Sequence, residues 1–346
     1  MTVLPVGDAV GRIENELTTF WSSPDEQTGT PMTKVRASTM SFVLSVAASE
    51  MARANETTDK LADTHPGRAF LLAMDGRLAP WEVSYEVRAE CRLQGEADPI
   101  CHDWIEMTFG AMAAERAASV LSALVLPEVP VVAEIGRGAP RTLVNAVVPR
   151  ADRIIVDSAH TSPARIAEIA QATNAPLGDR QFVRTYSWRD LVARFFDDAV
   201  GALGSIRSVT VGRTPGGTTD PAALLIGWLG SRLGWSFEAR DRARSKGGDA
   251  IAIALRDEPR EDLEQGQITG IWIETALGGE PLSLACARCK SARTLYWKCE
   301  GARNSAHEVP LGYRDEDWVL VKAIDATEGD RVYRQAILAA AEWSGR

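Results

Sequence analysis

The sequence predicts an α/β fold in its first half and an α+β fold in its second, arranged as two domains. Three observations carry this. Strand-like and helix-like segments alternate as β-α-β-α from Val129 to Thr173, the pattern of parallel strands with covering helices. Beyond Asp249, strand-like segments follow one another with short connections, as in an antiparallel sheet. A chain of 346 residues is also long enough for two ordinary cores. The expected organisation is an N-terminal helix and linker over 1–33 and a mixed-sheet α/β domain over 34–183. A third segment, 184–346, is expected to be an α+β domain with a largely antiparallel sheet and covering helices.

Each element has a local reason. Val10, Ile13, Leu17, Phe20 and Trp21 recur at helical spacing, which predicts an amphipathic helix over 8–21. SSPDEQTGTPMT (22–33) is dense in Ser, Thr, Pro and Gly and reads as a linker. VRASTMSFVLSVA is a β-rich run, followed by a polar helix ending near His65. RAFLLAMD, WEVSYEVRAE and HDWIEMTF are strands, the last two pairing as a hairpin. AAERAASVLSALVL is a helix rich in Ala and Leu. Then come VPVVAEI, a short helix from about 141, RIIVD, and the helix PARIAEIAQAT.

The second unit starts at Tyr186. Ser187 is expected to cap a helix, with Asp190 completing a capping box, and Trp188, Leu191, Val192, Phe195 and Phe196 form its apolar face. IRSVTVGR is a strand, and Asp220-Pro221 opens the next helix with a cap and a proline. That helix is apolar nearly all round, hence buried. Gly227 and Gly230 lower its propensity, which is explained by close packing against a sheet. DAIAIALRD, ITGIWIETAL, LSLACARC and TLYWKC are strands, and RVYRQAILAAAEW closes the chain as a helix. No internal repeat is visible.

Composition excludes whole classes of function. The chain is 45% hydrophobic and 25% charged, as soluble globular proteins are. A net charge of −9 and a pI near 5.2 argue against nucleic acid or an anionic membrane as partner. No apolar run approaches the roughly 20 residues that span a bilayer, and the N-terminus lacks the pattern of a secretory signal. Five cysteines, an odd number, suit a reducing compartment, so a cytoplasmic location is expected.

Four constellations invite a chemical reading. VVAEIGRGAPR follows a strand and opens a helix, with Asp157 about 20 residues on, the outline of a dinucleotide fingerprint. Only Gly136 and Gly138 match; Arg141 stands in the third glycine position, after Pro140. A plain strand-to-helix turn is favoured, although Arg137 and Arg141, with Arg213 from the second half, are candidates for holding an anion. GRTPGGTTD (212–220) is Gly-rich before a helix, but no Lys-Ser/Thr follows and Asp220 sits where a phosphate would. Cys286, Cys289, Cys299 and His307 supply the count for zinc. Strand alternation, however, puts Cys286 and Cys299 on the face of Leu284, Leu295 and Trp297 and Cys289 on the opposite one. No metal and no cofactor are expected. Cys91 and Cys101 flank the hairpin loop and are expected to be two free thiols. His65, His102, His160 and His307 fall in no triad or metal-protease pattern.

HPGRA (65–69), LPEVPVV (126–132), RIIVDSA (153–159), TYSWRDLVARFFDD (185–198) and AALLIGWLGSRLGW (222–235) occur in a fixed order. In these the chain resembles the OpcA family, the glucose-6-phosphate dehydrogenase assembly proteins, over roughly 35–240. One departure is AEIGRG after LPEVPVV, where the family often carries a Trp-rich strand end. The resemblance implies an α/β fold, no catalysis, and glucose-6-phosphate dehydrogenase as partner. The implied role is an assembly factor or allosteric activator that supports NADPH production in the oxidative pentose phosphate pathway of glucose metabolism. Some members of that family are redox-controlled through cysteines, which draws attention to Cys91 and Cys101.

Arg68 lies in the matching His65-Pro66-x-Arg68 motif. Arg189 and Arg194 lie on the polar side of the matching helix, where arginine suits an interface; Arg189 has the alternative of pairing with Asp157. All three are candidate partner-binding residues. The alternatives are a sensor or enzyme for a sugar phosphate or nucleotide, built on Arg137, Arg141 and Arg213, and a zinc-dependent scaffold.

Overall fold

The computed structural model describes residues 1–22, 35–36, 38–92, 100–216, 221–290, 293–312, 314–326 and 330–346. The linker expected over 22–33 falls almost wholly outside them, as do residues 217–220 of the Gly-rich loop, Asp220 included. The chain divides into two compact units, residues 1–156 with 172–177, and residues 157–171 with 178–346.

In the first unit the elements are β1 (Thr2–Pro5), α1 (Val6–Ser22), β2 (Val35–Arg36), β3 (Met40–Ser45), α2 (Met51–Leu61), β4 (Gly67–Met74), β5 (Glu82–Arg92), β6 (Ile100–Phe109), α3 (Ala117–Leu124), β7 (Val131–Ile135), α4 (Arg141–Val147) and β8 (Arg153–Val156), and β9 (Leu177–Asp179) starts on its last residue and continues into the second unit. The sheet runs β1-β5-β6-β4-β3-β7-β8-β9, with β2 beside β6. β4, β3, β7 and β8 are parallel to one another, while β5 and β6 form the antiparallel hairpin. Every residue of β3 is buried, the signature of a strand covered on both faces. Ile13 and Leu17 of α1 meet Phe70, Tyr85, Ile105, Met107 and Leu121 in the core, so the helical spacing read from the sequence is the core-facing stripe.

One expectation fails here. Cys91 and Cys101 are not two free thiols but a disulfide. The antiparallel register puts them directly opposite one another, which brings their sulfurs within bonding reach. An odd cysteine count describes a compartment on average and says nothing about two residues that the ladder holds face to face.

The second unit contains α5 (Pro163–Ala172), α6 (Arg180–Arg184), α7 (Tyr186–Asp197), β10 (Ser208–Arg213), α8 (Pro221–Leu233), β11 (Ser236–Ala239), β12 (Arg242–Arg244), β13 (Ala250–Asp257), β14 (Ile268–Leu277), β15 (Glu280–Arg288), β16 (Thr294–Gly301), β17 (Ser305–Pro310), α9 (Glu316–Asp325) and α10 (Asp330–Ser344). Its strand order is β11-β12-β13-β10-β14-β15-β16-β17, antiparallel except for the β10–β13 pair. This is the largely antiparallel sheet that the sequence predicts. Trp188, Leu191, Val192, Phe195 and Phe196 of α7 are all buried, and the Trp297 indole donates to the Leu191 carbonyl at 3.3 Å.

Two local readings are corrected. Ser187 does not cap α7, which starts at Tyr186, after Thr185, and has no side-chain cap. α6 runs into α7 at that residue, so Ser187 is already inside the first turn. Gly227 faces a helix rather than a sheet: a Cβ there would collide with the backbone of Ala336 and Ala340 in α10. Only Gly230 meets a strand, where its Cβ would lie 2.6 Å from the Phe237 ring. Among the described residues, no helix is long and apolar enough to cross a membrane.

Candidate functional site

The densest group of buried charges lies in the second unit, where α6, α9 and α10 meet the turn after Val156. Asp179 caps α6: its Oδ1 accepts from the Gln181 N–H at 2.8 Å and from the Ser158 N–H at 3.1 Å. Asp157 Oδ1 accepts from the Ala159 N–H at 2.9 Å. The Arg184 guanidinium bridges Asp157, at 3.2 Å, to Glu316 at the start of α9. Arg180 reaches the same Glu316 oxygen at 3.3 Å. Burial opposes the Arg184 charge, yet Asp157 and Glu316 outweigh it and hold the guanidinium more basic than usual. Tyr333 of α10 is buried beside Asp179, and both effects push its hydroxyl well above the ordinary phenol range.

This arrangement is a clamp. Asp157 and Glu316 are committed to the Arg184 guanidinium and Asp179 Oδ1 to backbone N–H groups, which fixes α6 and α9, while Asp179 Oδ2 and the Tyr333 hydroxyl are buried with no hydrogen-bond partner among the described residues. Charge networks rigidify what they join, whereas losing one member leaves its partner uncompensated.

Asp179 gives the clamp a pH signature. Burial, then the Asp157 charge, pushes its carboxyl up to about 6 from 3.8. A carboxyl raised on folding holds its proton more tightly in the folded state. Its contribution is therefore complete below the unfolded value and is lost as pH rises through about 6. Asp179→Asn keeps an oxygen acceptor for the two N–H groups and removes the titration. The melting temperature of this variant relative to the parent should rise between about pH 4 and about pH 7. A difference that stays constant over that range would contradict the assignment.

The sequence-derived candidates are not brought together. Arg68 is buried, with its guanidinium on Asp103 at 3.0 Å and on the Leu124 carbonyl at 2.7 Å; it is occupied within the first unit. Arg189 is buried as well, so it is not on the polar surface. It stacks 3.4 Å from the Phe182 ring centroid and donates to Thr185 Oγ1 at 2.6 Å, and burial depresses it to about 9. Its expected alternative partner, Asp157, is taken by Arg184. Arg194 is exposed and pairs with Asp190 at 2.9 Å, one turn away.

The anion candidates divide between the two units. Arg213 pairs with Asp257 at 3.0 Å, Arg137 lies 3.9 Å from Glu50, and Arg141 is exposed. The loop from Gly136 to Pro140 does not fit a dinucleotide. A Cβ at Gly136 would fall 2.6 Å from Val46 Cγ1, and Gly138, at φ +66°, backs onto the Ala47 methyl. The Gly136 N–H donates to the Ser45 carbonyl at 2.8 Å. The glycines thus admit a neighbouring strand end, not a pyrophosphate.

In the β15–β16 ladder Cys286 lies opposite Trp297, and Leu284 opposite Cys299, so the two buried cysteines share an apolar face as alternation predicts. Burial pushes the Cys286 thiol up to about 12, which makes it a poor thiolate ligand.

Sequence reading missed Asp179, Arg180, Arg184, Glu316 and Tyr333. One signal was available: an Asp followed by a basic, helix-forming run over 179–184. It was lost because the expected domain boundary was drawn through it.

Comparisons with known proteins bear on the whole chain. Residues 58–174 match the family model described as the glucose-6-phosphate dehydrogenase subunit N-terminal domain, and residues 175–337 match that of the C-terminal domain. No curated protein matches the sequence. Among solved structures, similarity extends to KijD10, a 3-ketoreductase from Actinomadura kijaniata, at 11% identity and a TM-score of 0.47, over 88% of this chain and 96% of that one. Biliverdin reductase from Synechocystis is similar at 9% identity and a TM-score of 0.43, over 89% and 99%. A super-repressor mutant of Gal80p from Saccharomyces cerevisiae is similar at 8% identity and 0.42, over 82% of each chain. Likenesses this distant carry no argument about function.

Proposed function

Because the chain belongs to the OpcA family of glucose-6-phosphate dehydrogenase subunits, we propose that it is a non-catalytic partner that assembles or allosterically activates that dehydrogenase. The observation that carries the reading is the consecutive match of both domain models, from residue 58 to residue 337. The closed turn at Gly136 and Gly138 argues against a dinucleotide of its own. Activity in the oxidative pentose phosphate pathway, with a gain in NADPH and a cytoplasmic location, follows from the partner.

An activator must bind the active state of its target more tightly than the inactive one. A tenfold gain in the active population needs only about 1.4 kcal/mol of differential affinity, which a few well-placed contacts supply. The direct test is to mix the purified chain with the dehydrogenase of the same cell and follow both by analytical ultracentrifugation. Co-sedimentation as one species is expected. Two species that sediment independently at micromolar concentrations would contradict the reading.

A further inference from the structure

The second unit carries an unusual surface where α7 begins and α9 follows the clamp. Tyr186 is 56% exposed and Trp318 39%, in a protein whose large rings are mostly buried. Arg314 lies 5.9 Å from the Tyr186 ring centroid and 4.9 Å from that of Trp318, and Lys322 lies 5.9 Å from the latter. Two exposed rings and two cations thus share one patch.

Among the described residues, neither cation is paired with a carboxylate. Among the described residues, Arg314 hydrogen-bonds only the Val183 carbonyl, at 3.1 Å, and Ser187 Oγ, at 3.5 Å. Lys322 touches only the Trp318 ring. Two acids beside Arg314 are committed elsewhere: Asp315 caps α9 through the Trp318 N–H at 2.7 Å, and Glu316 belongs to the clamp. On a chain with a net charge of −9, two adjacent unpaired cations are a local inversion of sign. Rings hold such cations in place at little entropic cost and leave them able to accept a carboxylate. Trp, Tyr and Arg are also the residue types that dominate binding energy at interfaces.

Resting on the function proposed above, we infer that Tyr186, Arg314, Trp318 and Lys322 form the docking surface for a carboxylate-bearing, partly apolar segment of the dehydrogenase. The clamp is what presents it: Arg180 and Arg184 hold Glu316, and with it the first turn of α9, against α6.

The test uses the full chain and the dehydrogenase, with binding measured by calorimetry at low and high salt. Trp318→Ala and Arg314→Glu should each weaken binding by about tenfold or more. Lys322→Glu, which changes an exposed side chain and spares the fold, should weaken it less and reduce its dependence on salt. Thermal melts of each variant separate lost binding from lost folding. If the parent binds while Trp318→Ala and Lys322→Glu fold and bind equally well, the surface is wrong and the function stands. If the parent does not bind, both fall. If the variants change self-association of the chain but not binding to the dehydrogenase, the occupant is a second copy and the inference is overturned.

Discussion

Trp188→Ala is expected to destabilise the second unit by about 3–5 kcal/mol, as truncation of a fully packed tryptophan does. The side chain is 2% exposed and sits in the apolar face that joins α7 to the sheet. The Arg288 guanidinium lies 5.7 Å from its ring centroid, so truncation also removes a cation–π contact. The readout is the urea midpoint of the full chain. Trp188→Phe, which keeps most of the volume, should lose far less. A Trp188→Ala variant that unfolds at the parent's midpoint would mean that α7 is not the element that seals this core.

Arg68→Met should cost the first unit a similar amount. Asp103 is 1% exposed, and it holds both Arg68 and the Trp21 indole, the latter at 3.1 Å. Removing the guanidinium breaks a buried ion pair at this carboxylate, and broken pairs of this kind typically cost about 3–5 kcal/mol. Arg68→Met combined with Asp103→Leu should recover much of the loss, because both charges have gone. Failure of the second substitution to rescue the first would show that packing, not charge, sets the cost. This placement also explains why a motif residue named from resemblance need not contact the partner: Arg68 ties β4 to β6 and to the end of α3.

Much of the fold is legible in the sequence because hydrophobic period reports burial directly. The run MSFVLS carries no charged residue on either face since β3 lies inside a covered sheet, and Trp188 to Phe196 repeat at helical spacing since one side of α7 faces the core. Elements that bury little leave little signal: β1, β11, β12 and β17 are short or largely exposed strands. α6 has only five residues, too few for a period to show.

The clamp was illegible for a different reason. Asp157, Asp179, Arg184, Glu316 and Tyr333 are spread over almost 180 positions, and nothing in the spacing of charged residues says which of them meet. Arg189 shows the limit from the other side. Helical geometry placed it on the polar face of α7, but the Phe182 ring from the preceding helix covers it there. The Cys91–Cys101 bond was half legible: the hairpin and its register were readable, the oxidation state was not.

The central claim is that this chain acts through the dehydrogenase and not through chemistry of its own. The most direct measurement is the initial rate of the cognate glucose-6-phosphate dehydrogenase, across substrate concentrations, titrated with the purified chain to saturation. The account predicts no dehydrogenase activity for the chain alone, together with a saturable rise in kcat or fall in KM for the enzyme. Unchanged kinetic constants at saturating chain, or turnover by the chain by itself, would contradict it.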